Sequence, residues 1–263
     1  MISVTLSVTS AISNWWRLVW MTMGQLLASY GGGGRFSFIM SLLEPLFLIG
    51  AFYLFRSLFK MGTGGYGTSL FLFMASGLLP FYLFLQVSSR ASSAVRARGR
   101  FPGLSTLDVY IATTLLNSLV WITMIVVIFV GMWLYGIAQA RPESIVTCAA
   151  SLSLLIILAM GVGMINNVIA RYFRLWLFVY RIATRGLIFL SGVFFVVDLQ
   201  PYVIRAWSVA NPLTHGIEWF RLGVYGRYPH ITLDQSYLLK WALVALFLGF
   251  VLDRASIRSI EKV

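Results

Sequence analysis

Three stretches of this chain, residues 69–87, 109–135 and 144–170, run for about 20 residues or more without an Asp, Glu, Lys or Arg. A helix needs about 20 mostly apolar residues to cross the hydrocarbon of a bilayer. Lipid offers the backbone no hydrogen-bond partners, so such a run must satisfy its own N–H and C=O groups, as a helix does. Composition removes the alternative of a soluble core. Of 263 residues, 59% are hydrophobic and only 11% are charged, against about 25% charged in ordinary soluble domains. One water-soluble core of this size could not hide so much apolar surface.

Three further runs are weaker. Residues 36–59 are long enough but contain Glu44 and Arg56. Residues 177–197 carry Arg181 and Arg185 in their first turns, and residues 237–252 are short with Lys240 near the start. The expected fold is therefore all-α, a polytopic membrane protein with six transmembrane helices. Residues 1–263 are read as one domain: 1–35 a cytoplasmic N-terminus with an interfacial helix, 36–252 the six spans, and 253–263 a cytoplasmic tail.

Lys and Arg counts between spans set the orientation, because cytoplasmic loops are enriched in them. Residues 88–108 contain Arg90, Arg96, Arg98 and Arg100, and residues 171–185 contain Arg171, Arg174, Arg181 and Arg185. The intervening 136–143 has only Arg141, balanced by Glu143. Both Arg-rich loops are expected in the cytoplasm, and six spans then place both termini there. Arg205, Arg221 and Arg227 in the last long loop count against this, less heavily because they are spread out. The net charge of +12 is topological on this reading. The basic residues lie between apolar runs instead of forming one soluble face, so nucleic acid is not an expected partner.

Two segments are irregular. Residues 11–30 hold Trp15, Trp16 and Trp20 among apolar residues with few charges, which suits a helix lying in the membrane interface. The glycines at 31–34 then give the chain a joint at which to turn into the bilayer. No basic region, compact apolar core and small-residue cleavage site occur in order, so no removable signal peptide is expected. Residues 198–236 are too aromatic for a linker and too polar for a span. Within them, 214–226 reads as an amphipathic helix with Ile217, Phe220 and Val224 on its apolar side. Short helices on or dipping into the outer leaflet are expected before the last span.

Few residues could carry chemistry. There is no G-x-x-x-x-G-K-[ST], no G-x-S-x-G and no H-E-x-x-H. The single cysteine, Cys148, lies in an apolar run, and His215 and His230 are too few and too far apart for a zinc centre. Catalysis by this chain alone is not expected, and neither is a cofactor or metal site. Glu44 with Pro45 is the most informative pair. A carboxylate inside a span is costly and faces protein or water, and a proline frees a backbone carbonyl. The pair reads either as a gate facing a substrate or as an interfacial anchor.

Arg181 and Arg185 share one helix face. They either snorkel to the interface or receive an anionic head group such as a lipid phosphate. Phe81, Tyr82, Phe84 and Phe189 are aromatics on which sugar faces could stack, although aromatics also fill lipid-facing helices.

Four motifs in order resemble the permease subunit of ABC-2-type capsular polysaccharide exporters. They are Glu44-Pro45, then Gly77-Leu78-Leu79-Pro80-Phe81 with Phe84. Next comes 153–158 followed by Gly161-Val162-Gly163, and last Asn211-Pro212-Leu213 with His215, Glu218 and Arg221. The resemblance runs from about residue 26 to residue 252. It implies a homodimer in the bacterial inner membrane that moves a lipid-linked polysaccharide. It further implies a separate ATP-binding cassette subunit carrying ATP and Mg, and periplasmic export components. Arg90, Arg96, Arg98 and Arg100 would lie in the element that docks on that ATPase. Asn211, Pro212, His215, Glu218 and Arg221 would frame the outer exit, and Glu44, Pro45, Phe81, Tyr82, Phe84, Arg181, Arg185 and Phe189 would border the glycan path. Export of O-antigen, teichoic acid or another lipid-linked glycan is the nearest alternative. A membrane glycosyl- or acyl-transferase is a more distant one.

Overall fold

The computed structural model describes Trp16, Trp20, Leu43, residues 46–51, 53–54, 66–67, 69–92 and 106–260. Among these residues the regular structure is helical throughout: α1 Leu70–Ala91, α2 Thr106–Leu134, α3 Ile145–Tyr172, α4 Trp176–Leu190, α5 Tyr202–Val209, α6 Pro212–Tyr225 and α7 Gln235–Ile260. Single 3-10 turns occur at Ala138–Ala140 and Val197–Leu199. Four helices are long and apolar enough to cross a membrane, namely α1, α2, α3 and the Gln235–Ser256 portion of α7. Each matches an expected span to within a few residues, except that α7 runs well past residue 252.

The helices start where side chains can cap them. The Leu72 N–H donates to Ser69 Oγ at 3.4 Å, and the Thr147 N–H to Ser144 Oγ at 3.2 Å. A serine at this position accepts from one of the four N–H groups that a helix start leaves unpaired.

α3 is the hub, and glycine makes it so. A Cβ at Gly161 would meet Leu246 N at 2.4 Å and Ala245 O at 2.8 Å on α7. One at Gly163 would meet Ala91 Cβ at 2.5 Å and Ser88 O at 2.8 Å on α1. Two residues apart on a helix face opposite ways, so this Gly-Val-Gly lets two different helices approach α3's backbone. Lipid tails are as apolar as leucine and provide no hydrophobic drive between spans. Close backbone approach and dispersion contacts therefore do the joining. α1 lies at the centre, buried along almost its whole length.

The expected fifth span is shorter than the sequence suggests. α4 has 15 residues, a rise of about 22 Å, less than the ~30 Å hydrocarbon thickness. It stops at Leu190 instead of running to residue 197. Gly192 adopts φ +67, where a side chain would be strained. The carbonyls that follow turn inward to bind a buried guanidinium. The first expected span is helical in its described residues, and Ile49 is buried in the core. Of the interfacial helix, Trp16 and Trp20 are described, with rings edge-to-face at 5.9 Å. Glu44, Pro45, Arg96, Arg98 and Arg100 lie outside the described residues.

The described connections fall at two ends. The 135–144 connection, the start of α1, the end of α4 and the start of α7 share one end. The end of α1, the start of α2 and the α3–α4 junction share the other. Arg90, in the last turn of α1, and Arg171, in the last turn of α3, thus lie at the same end.

Candidate functional site

The motif residues before the last span converge on one buried assembly around α6. Asn211 caps the helix by accepting from the Leu213 N–H at 3.1 Å, and its Nδ2 donates to Ser191 Oγ at 2.9 Å, tying the helix start to the end of α4. Pro212 follows at the first helical position, where no N–H is missed. His215 bridges two segments. Its Nε2 lies 2.9 Å from Val209 O, and its Nδ1 accepts from the Asp234 N–H at 3.0 Å. With Nδ1 accepting, Nε2 carries the proton and donates. Burial holds this imidazole below its usual pKa.

Arg221 is the centre. The side chain is fully buried, and among the described residues the only ion pair is Arg171–Asp253, elsewhere in the molecule. Backbone carbonyls take the place of a counter-ion. Nη1 donates to Gly192 O at 2.6 Å and to Phe195 O at 3.3 Å, and Nη2 to Val193 O at 2.5 Å and to Phe73 O at 3.3 Å. Nε reaches Ser76 Oγ at 3.4 Å. Cζ lies 3.9 Å from the Phe73 ring centroid, a cation–π contact strengthened by the lack of water. One planar fork thus joins three elements: the 192–195 turn, α1 and α6. An ammonium, being a point charge, could not span them.

Gly77 is explained by the same contact. A Cβ there would lie 2.4 Å from Arg221 Nη2 and 2.7 Å from Val193 O. The glycine in α1 and the arginine in α6 belong to two motifs far apart in sequence, and they prove to be two halves of one joint.

Glu218 lies one turn before Arg221 and is fully buried. Oε2 accepts from Thr232 Oγ1 at 3.5 Å, and Oε1 has no hydrogen-bond partner among the described residues. Asp198 accepts from the same hydroxyl at 2.7 Å, and from the N–H groups of Ile231 and Thr232. Burial raises the Glu218 pKa, the Asp198 charge raises it further, and the Arg221 charge opposes both. The carboxyl is therefore biased toward its neutral form.

The sequence pattern suggests an amphipathic helix over 214–226 that lies on or dips into the outer leaflet, and the helix that forms has its polar side buried as well as its apolar side. Ile217, Phe220 and Val224 are buried as expected, but so are Thr214, His215, Glu218 and Arg221. Small residues let α3 approach: a Cβ at Gly216 would meet Leu155 Cδ2 at 2.5 Å, and one at Gly223 would meet Cys148 Sγ at 2.6 Å. Ser151 Oγ donates to Gly216 O at 2.6 Å. Leu155 is ten residues into α3, so the first half of α6 reaches about 15 Å below that helix's start. The carbonyls of Gly223 and Val224 at the far end are capped by the N–H groups of Ser144 and Glu143.

The remaining candidates separate into two groups. Phe81, Tyr82 and Phe84 are core side chains of α1, with Tyr82 stacked on Trp121 at 5.9 Å. They pack the subunit instead of lining an open path among the described residues. Arg181, Arg185 and Phe189 stand on the exposed face of α4, with Phe178, Val179 and Ile182. Arg90 ends α1 in its last turn.

One network escaped the sequence reading. At the end opposite α6, Arg171 Nη2 donates to Asp253 Oδ1 at 2.6 Å and Nη1 to Ser256 Oγ at 3.0 Å. The Tyr110 hydroxyl lies 3.3 Å from the same carboxylate. With its amide oxygen turned toward Tyr110 and Arg171, Asn167 donates to Ser92 O at 3.0 Å. This ties α1, α2, α3 and α7 together. The signal available was Asn166-Asn167, two adjacent amides within an otherwise apolar run. Nearby, Trp176 Nε1 donates to Asn166 Oδ1 at 2.8 Å and Tyr180 OH lies 2.8 Å from Ser88 Oγ, which holds the start of α4.

Among the described residues no group of three His, Cys, Asp or Glu side chains could hold a metal ion.

No protein-family model matches the chain. It is similar to a polysialic acid transport protein, KpsM, of Escherichia coli, at 28% identity over 231 residues covering 85% of this chain and 87% of that protein. A second Escherichia coli KpsM is 29% identical over 185 residues, 69% of this chain and 71% of the relative. The capsule polysaccharide export inner-membrane protein CtrC of Neisseria meningitidis serogroup A is 24% identical over 244 residues, 92% of this chain and 91% of its own length. These relatives, similar over most of the chain, are of the kind that the motifs resemble.

Proposed function

We propose that this chain is the transmembrane subunit of an ATP-driven ABC exporter that moves lipid-linked capsular polysaccharide across the bacterial inner membrane. The observation that carries the reading is similarity over 85% and 92% of the chain to two relatives named for polysialic acid transport and capsule polysaccharide export. Partial coverage could reflect a shared span; coverage of this extent takes in the clamp around α6 as well.

ATP and Mg bind a separate cassette subunit in this scheme, and the connection between α1 and α2, with Arg90, Arg96, Arg98 and Arg100, docks on it. α1 then transmits the stroke. Its 22 residues form a rod about 33 Å long. The rod has Arg90 at one end and the Phe73, Ser76 and Gly77 seat of Arg221 near the other. ATP binding shifts the population between two conformations by its different affinity for each. The exposed face of α4 and the first span face a second copy of the chain, and Arg181 and Arg185 offer forked donors to a passing phosphate. Both termini lie in the cytoplasm, and periplasmic components receive the glycan.

Co-purification from solubilised membranes tests this directly. A stable complex with an ATP-binding subunit and ATPase activity is the expected result. Reversing Arg96 and Arg98 to Glu should leave hydrolysis intact and abolish surface capsule. Normal export by that variant, or a chain that purifies without any ATPase, would sink the proposal.

A further inference from the structure

α2 and α3 touch each other sparsely, and a cavity of about 590 Å³ opens between them. That size lies within the about 300–1,000 Å³ of small-molecule sites. Its α2 wall is Ile122, Ile125, Val126, Phe129, Val130 and Trp133, which recur at the spacing of one helix face. Ile145, Cys148, Ala149 and Leu152 of α3 form the opposite wall, and Phe220 of α6 lies at the floor. Phe220 packs edge-on to Phe129 at 5.9 Å, so the floor is fixed. Val126, Val130 and Trp133 are also exposed on the outside, so the groove opens sideways, where a membrane-spanning chain meets lipid.

We propose that this groove holds one acyl chain of an anionic membrane phospholipid, with the lipid phosphate on Arg141. The height of the groove, its lining and its mouth select that occupant. The α2 wall from Ile122 to Trp133 rises about 16 Å, close to the ~15 Å of hydrocarbon in one leaflet. Below Arg141 the walls are apolar except for the Cys148 thiol, which is turned to Phe220 O at 3.7 Å, so no array of polar groups there would bind a sugar. Arg141 stands at the mouth, at the membrane end where the helices are joined. Its guanidinium makes no hydrogen bond or ion pair among the described residues. Trp133 lies beside the mouth, and tryptophan favours the head-group level. The neighbouring Glu143 carboxylate is turned to Gly226 at the end of α6, leaving the phosphate position to the arginine. A bound chain would brace the gap between α2 and α3 against the floor that α6 provides.

The test is photolabelling of the purified protein with phosphatidylglycerol carrying a diazirine in the middle of its acyl chain, with labelled peptides mapped by mass spectrometry. Label concentrated on residues 122–133 and 145–152 is expected, above that on the exposed α7 face of Leu239, Leu243 and Phe247. Ala149→Trp, which fills an exposed position of the groove, should reduce groove labelling to the level of the α7 face. Arg141→Gln, which changes nothing in the buried part, should reduce the preference for phosphatidylglycerol over phosphatidylcholine about fivefold, the effect of one basic residue at an anionic surface. Groove labelling no higher than on α7, or an unchanged head-group preference in Arg141→Gln, would overturn the proposal. Displacement of the label by the glycan's own carrier lipid, but not by excess phosphatidylglycerol, would overturn it too and give the groove to the cargo.

Discussion

Gly77→Ala is the sharpest test of the buried clamp, because two physical effects predict opposite signs. In a helix that met nothing at this position, alanine would stabilise by about 1 kcal/mol over glycine. Here the new Cβ would lie 2.4 Å from Arg221 Nη2, and ordinary contact begins near 3.4 Å. The guanidinium must move by about 1 Å, and Val193 O, itself 2.7 Å from the new carbon, cannot follow it inward. Nη2 then loses its 2.5 Å bond to Val193 O and strains the one to Phe73 O at 3.3 Å. Hydrogen bonds to a charged group contribute about 1.5–3 kcal/mol each. Subtracting the propensity gain leaves a net loss of about 1–4 kcal/mol. At about 2–4 °C per kcal/mol for a chain of this size, the midpoint should fall by several degrees. Fluorescence-detected gel filtration after heating the solubilised protein measures it. Gly131→Ala in α2, where a Cβ meets nothing within 4 Å, is the control and should hold or gain stability. An equal or higher midpoint for Gly77→Ala would refute the clamp.

Arg221→Lys should fail almost as badly as Arg221→Met in both thermal stability and export, because one ammonium cannot serve the 192–195 turn and α1 together; near-normal export with lysine would argue against the fork. Asp253→Asn should cost about 1–3 kcal/mol by weakening a largely buried charged hydrogen bond. In a double-mutant cycle with Arg171→Gln the two losses should be clearly less than additive, and strict additivity would discount the pair. The raised Glu218 pKa means that the folded state holds this proton more tightly than the unfolded chain. Its contribution is full below the unfolded carboxyl pKa and falls as pH rises toward the folded value. Glu218→Gln should flatten that decline in the melting midpoint, and an unchanged pH profile would remove Glu218 from its cause.

Much of the architecture was legible in the linear pattern. The charge-free runs at 69–87, 109–135 and 144–170 became α1, α2 and α3 nearly residue for residue, because a backbone in lipid has few other choices. Of the arginine-rich segments, Arg90 and Arg171 stand at one end, in the last turns of α1 and α3. The motif residues Asn211, Pro212, His215, Glu218 and Arg221 stand together on α6 and its cap, but the linear pattern does not say what their polar groups face. An alternation of apolar and polar residues in α6 looks the same whether the polar side faces water or a ring of carbonyls. What Phe81, Tyr82 and Phe84 face is hidden in the sequence for a related reason. A phenyl ring has the same hydropathy against lipid, against a sugar and against Trp121.

Hydropathy alone therefore determined that this chain lives in a bilayer, how many residues its long helices devote to it, and which connections share an end. It works because transfer into lipid is a property of each segment by itself. Where α4 stops, why Gly77 must be glycine, how a lone arginine survives without a counter-ion, and which face of α2 is left open are properties of pairs. Each depends on a neighbour more than 20 residues away in sequence: Arg221 for Gly192 and Gly77, Phe220 for the groove. Only the packed structure brings those neighbours within reach.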